Sequence, residues 1–108
     1  MVTQTNNVYI GTELKLNINI EPMGEFTMDD YDWSVDVYCS NKRITTIPKS
    51  SSIRIDSNNY VLLVDTEELG VGDVKCKITA YIPDTDFADT LRTEVSLIDT
   101  GINIIKTI

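Results

Sequence analysis

Along much of this chain apolar and polar side chains alternate with a period of two, the pattern of strands that pack on one face and meet water on the other. Over positions 13–20, Leu14, Leu16, Ile18 and Ile20 alternate with Glu13, Lys15, Asn17 and Asn19. Over 31–39, Trp33, Val35, Val37 and Cys39 are expected inward and Asp32, Ser34, Asp36 and Tyr38 outward. Over 73–81, Val74, Cys76, Ile78 and Ala80 oppose Asp73, Lys75, Lys77, Thr79 and Tyr81; over 91–98, Thr93, Val95 and Leu97 oppose Arg92, Glu94 and Ser96. Shorter strands are expected at 8–10, 43–47, 53–55 and 102–105. The run YVLLV at 60–64 is continuously apolar, which fits a central strand covered on both faces or a buried helix segment, two readings that periodicity alone does not separate.

Turn signals separate these segments. Pro22 and Gly24 interrupt the pattern, so 21–30 is expected to be an exposed loop. Ser40, Asn41 and Lys42 suit a tight hairpin turn, and Pro48 ends the next strand because it lacks an amide donor. Positions 56–59 form a turn, 82–89 (IPDTDFAD) an acidic loop, and Thr100–Gly101 a turn before the last strand. The count is seven or eight strands, with turn signals every 8 to 12 residues or so and no helix beyond one turn, which is the pattern of an all-β antiparallel sandwich.

The corner between the apolar run and the long strand sharpens this. Asp65 or Thr66 can cap one helical turn over Glu67, Glu68 and Leu69. Gly70 and Gly72 then supply the positive φ that a reversal needs. A short acidic turn, a glycine and a strand with an inward cysteine make the E–F corner of an immunoglobulin-like sandwich, although Val74 stands where antibody-type domains carry a corner tyrosine. With the 31–39 strand counted as B, Trp33 falls on the wrong strand for the antibody pattern and reads as core filler. Cys39 and Cys76 would then occupy the places of the inter-sheet disulfide. A buried free cysteine behaves as a small hydrophobe, and without an export signal a reducing compartment keeps thiols free, so free thiols are the expectation.

A chain of 108 residues is one domain. Its first ten residues are expected to be a flexible leader with a short edge strand, and 11–108 a single sandwich. The start has neither the basic nor the apolar region of a signal peptide, and no apolar run reaches bilayer length. The net charge of −8, from 17 acidic and 9 basic residues, repels phosphate backbones and disfavours nucleic acid. There is no histidine, which removes imidazole bases and the usual nucleophile dyads. No GxGxxG, GxxxxGK[ST] or CxxC occurs. Neither an enzyme nor a cofactor is expected. Asp84, Asp86 and Asp89, or Asp29, Asp30 and Asp32, could offer calcium oxygen ligands, though neither has EF-hand spacing. Phe26, Met28 and Phe87 are expected at loop tips as partner contacts, and Tyr38 and Tyr81 are the outward strand aromatics that a glycan would use.

Four stretches, GTELKLNINIEP, MDDYDWSVDVYC, VDTEELGVGDVKCKITAYIPDTDF and LRTEVSLIDTGINI, together resemble small immunoglobulin-like virion proteins of tailed phages of Bacteroidales hosts, the crAss-like phages among them. The resemblance spans most of 11–105. It implies a non-enzymatic virion component, a head auxiliary or decoration protein or a fibre adaptor, assembled in the host cytoplasm with capsid or fibre proteins as partners. It transfers no catalytic residues. The alternative function is a module that binds surface glycans or a host protein.

Overall fold

The structure is a computed structural model that describes residues 6–20, 26–39 and 44–107. Strands form where the alternation is strict: β1 (Asn6–Tyr9), β2 (Glu13–Ile18), β3 (Asp32–Tyr38), β4 (Ile44–Pro48), β5 (Ile53–Asp56), β6 (Asn59–Asp65), β7 (Gly72–Pro83) and β8 (Leu91–Ile105). One short helix, α1 (Thr66–Leu69), and a 3-10 turn at Lys49–Ser51 complete the elements. The first five residues of the expected leader, the Pro22–Gly24 interruption and the turn at Ser40, Asn41 and Lys42 with Arg43 lie outside the described residues.

Two sheets face each other, ordered β1-β8-β7-β3-β4 and β2-β6-β5. All pairings are antiparallel except β1 on β8. With β1 counted as the first strand, β2-β6-β5 corresponds to B-E-D and β8-β7-β3-β4 to G-F-C-C′, the neighbour order of immunoglobulin-type sandwiches. Eight strands agree with the expected seven or eight, but the order made from sequence, which took the 31–39 strand as B, is corrected. The strand carrying Trp33 is the third, the C position, where that architecture places its tryptophan. Cys39 and Cys76 therefore belong to neighbouring strands of one sheet, not to opposite sheets. Val37 is the residue opposite Cys76, so Cys39 lies two places further along, and both thiols are free and buried.

The core is the sum of the inward rows. Trp33, Val35 and Val37 of β3 and Val74, Cys76, Ile78 and Ala80 of β7 lie against Leu16 and Ile18 of β2 and Tyr60, Leu62 and Val64 of β6, all buried. Each large side chain so removed from water contributes about 1.5–3 kcal/mol. Trp33 meets Tyr60 edge to face across the sheets, with centroids 5.1 Å apart. Among the described residues the apolar run of β6 is covered on one side only: Leu63 is 55% exposed, with no third layer over the small sheet.

The corner forms as its residues require. The Asp65 carboxylate accepts from Glu67 N at 3.0 Å, and Gly70 takes φ +83° while its N–H donates to the Thr66 carbonyl. Thr66 is fully buried. Its hydroxyl donates to the Thr12 carbonyl and accepts from Gly11 N, both at 2.8 Å, and its own N–H also reaches Thr12 O. One threonine thus staples the corner to the turn between β1 and β2.

The expected turn at Thr100–Gly101 is instead a bulge within β8. Asp73 faces Asn103 but Lys75 faces Asp99, so β8 holds two extra residues there. Gly101 adopts φ +74°, the Thr100 hydroxyl donates to Val74 O at 2.7 Å, and Ile102 N donates back to that hydroxyl. Bulges of this kind bend a strand, and β1 pairs only with the segment beyond it, Ile102 to Ile105. The strands of β7 and β8, 12 and 15 residues long, outrun the 4 to 7 residues of the small sheet, and the molecule measures 53 × 28 × 27 Å.

Candidate functional site

The part of β8 before the bulge is an edge arm, paired to β7, in which the polarity code is inverted. Arg92, Glu94, Ser96 and Ile98 pair with Ile82, Ala80, Ile78 and Cys76, so they share the core-facing side of the sheet, while Leu91, Thr93, Val95 and Leu97 face outward. Leu97 is 72% exposed and Val95 54%. Tyr81, half-exposed, stands next to Thr93 on the same outer face.

The arm ends in a tight loop. Asp84 N donates to Thr90 O at 2.8 Å, Phe87 N to Asp84 O, and Thr90 N to Phe87 O. One oxygen of the Asp84 carboxylate accepts from Asp86 N at 3.0 Å and the other from Arg92 at 2.6 Å; Arg92 also donates to Glu94 at 3.2 Å. Phe87 stands exposed near the tip.

Beside the arm the sandwich is open. Among the described residues β2 pairs only with β6, and β8 before the bulge only with β7. Between these two free edges runs a groove of about 450 Å³ walled by Leu16, Ile18, Cys76, Ile98, Thr100 and Ile102.

The acidic candidates disperse. Among the described residues no three carboxylates or thiols gather closely enough to hold a metal, which corrects the calcium reading of Asp84, Asp86 and Asp89: Asp84 is engaged by Arg92 and the loop backbone. In the other cluster Asp30 accepts from Thr27 N and Oγ1, and Asp32 from Trp33 N. Asp29 accepts two nitrogens of Arg54, at 2.7 to 3.1 Å, and the Tyr60 hydroxyl. The Arg54 hydrogen bonds, followed by that of Tyr60, hold its carboxyl at a pKa of about 2. Lys49 Nζ donates to the carbonyls of Asp29 and Tyr31 and lies 6.0 Å from the Tyr60 ring centroid. This polar network fastens the loop before β3 to β5 and β6. Sequence reasoning missed it because Arg54 and Tyr60 lie 25 and 31 positions from Asp29.

Of the three expected contact residues, Phe26 and Phe87 are exposed, but Met28 is completely buried. This is a correction: the loop turns back through the Asp30 N to Thr27 O hydrogen bond, and methionine's flexible thioether fills the core beneath it. Tyr38 stands opposite Lys75 and Tyr81 opposite Asp32. The two tyrosines are thus six residues apart along β3, roughly 20 Å, and do not form one platform. Burial pushes the Cys76 thiol up to about 11 and, with Asp73, raises that of Cys39, so both stay protonated and poorly nucleophilic at neutral pH.

Compared with models of known protein families, with curated proteins and with solved structures, the chain matches none.

Proposed function

We propose that this protein is a non-enzymatic structural domain of a tailed-phage virion, a head auxiliary protein or a fibre adaptor that attaches to other virion proteins. The observation that carries the reading is the arm: an edge strand of the large sheet with an exposed apolar row and, among the described residues, an unpaired edge, a form suited to docking on another protein. The resemblance of the four stretches over 11–105 supports the virion setting. The lack of histidine and the engagement of Asp29 and Asp84 in ion pairs support a role without catalysis.

The test is co-expression with the shell or fibre proteins encoded beside it. The wild-type chain is expected to co-purify with assembled particles, and Leu97→Asp to be lost from them while keeping a wild-type circular dichroism spectrum. Failure of the wild-type chain to join any particle would end the virion reading.

A further inference from the structure

The edge of β8 before the bulge is unpaired among the described residues, and its hydrogen-bonding phase can be worked out. The Asp84 N–H to Thr90 O bond makes that pair a hydrogen-bonded one. Such pairs alternate along an antiparallel ladder, so Arg92, Glu94 and Ser96 direct their backbone groups to β7. Leu91, Thr93, Val95 and Leu97 direct theirs outward, each presenting an N–H and a C=O.

Exposed edges of this kind recruit another strand unless blocked. Proline is absent from 91–98, and the two charges in that stretch, Arg92 and Glu94, have opposite signs and flank Thr93 symmetrically. The segment LRTEV therefore complements itself when reversed. A two-fold axis through Thr93 sets Leu91 against Val95 of the second copy, Arg92 against Glu94, and Thr93 against Thr93. In this register the Thr93 pair and the Leu91–Val95 pairs are hydrogen-bonded. The Arg92–Glu94 pairs fall at the closer, non-hydrogen-bonded sites, where side chains meet best.

Moving the axis by one residue to Glu94 would oppose two glutamates. Centring it on Val95 would set Arg92 against Ile98. Over Leu91–Val95 the Thr93 register is the one of these that matches every pair. It also runs the 84–90 loop of each copy alongside Leu97 of the other, the most exposed apolar side chain of the arm, with Asp89 at the position opposite.

We propose that two copies of this chain associate by antiparallel pairing of their β8 edges about Thr93, joining two five-stranded sheets into one continuous sheet. The partner is a second copy because the charge order of the edge matches its own reverse. This inference goes beyond the virion reading and does not depend on it.

The experiment is sedimentation equilibrium on the full chain across a concentration series, with circular dichroism and Trp33 fluorescence as checks on folding. Wild type is expected to reach twice the 12.1 kDa of the chain. Thr93→Pro removes an edge-facing amide that β7 does not use, and is expected to be folded and monomeric. Arg92→Glu and Glu94→Arg are each expected to be monomeric alone and to form a mixed dimer when combined, since their opposed charges again match. The double variant Arg92→Glu/Glu94→Arg should dimerise where neither single variant does, though less tightly than wild type because it sets a carboxylate at position 92 against Asp84. A wild-type chain that stays monomeric throughout overturns the proposal, including the case in which Thr93→Pro abolishes capture of a shell protein, because the edge then serves a foreign strand. A Thr93→Pro chain that still dimerises, or single charge variants that do, overturn it as well.

Discussion

The sandwich body and the β8 arm at its edge are written in the same alternating code and use it in opposite ways. In the body the apolar row faces the second sheet: Trp33, Val35 and Val37 are buried together with Leu62 and Val64. In the arm the row facing that direction is Arg92, Glu94 and Ser96, and the apolar row of Leu91, Val95 and Leu97 meets water. The body pays the entropy of ordering the chain with buried area. The arm is held by its ladder to β7 and by the bonds of Arg92 to Asp84 and Glu94. Alternation alone therefore marks a strand, while the layer opposite decides which side is core.

The largest expected contrast comes from truncating one leucine on each side of this divide. Leu62→Ala leaves a cavity in a filled interior and should cost about 2–5 kcal/mol, whereas Leu97→Ala should stay within about 0.5 kcal/mol in the monomer. Urea unfolding midpoints measure both, and comparable losses would break the distinction between body and arm. Next comes the staple at the corner. Thr66→Val keeps the shape but strands Gly11 N and leaves Thr12 O one donor short, with an expected loss of about 1–3 kcal/mol; a neutral result would mean that the corner holds by packing alone.

The Asp29 network sharpens the comparison through pH. Its carboxyl ordinarily titrates near 3.8 and is held at about 2 in the fold. Its contribution is therefore complete above pH 3.8 and lost as pH falls through about 2. Asp29→Asn should flatten that part of the stability profile; an unchanged acid limb would show that the network is not formed in solution. The smallest effect is expected at Tyr31. Its buried hydroxyl has no partner among the described residues, and burial, with Glu94 and Asp30, raises its pKa to about 12. The neutral phenol's contribution is complete below pH 10 and lost as pH rises through 12. Tyr31→Phe should be neutral or slightly stabilising, and a loss above about 1 kcal/mol would reveal a partner for that oxygen.

Much of the fold was legible because each strand of the body carries its own signal. The rows of β2, β3 and β7, the Asp65 cap and the positive φ at Gly70 are local facts, and local chemistry predicts them. The count of strands was legible, but the order was not: the strand expected at 8–10 was left out of the lettering, since β1 has only four residues and is recognisable as the first strand by its partner rather than by its pattern. That one omission moved Trp33 and Cys39 to the wrong strand. The candidate site was legible in part: Phe87 and the acidic loop were seen, but the outward turn of Val95 and Leu97 was not. Met28 and Asp29 likewise read as loop residues, because their partners lie far along the chain.

What the sequence determined by itself is the set of strands, their turns and the class of the fold, since backbone sterics and a two-residue period act over neighbouring positions. Only the tertiary structure decided which face of each strand is interior, which edges stay open and where each carboxylate finds its cation. Those outcomes depend on residues distant in the chain, and on the three-stranded sheet ending at β2, beside the arm rather than over it.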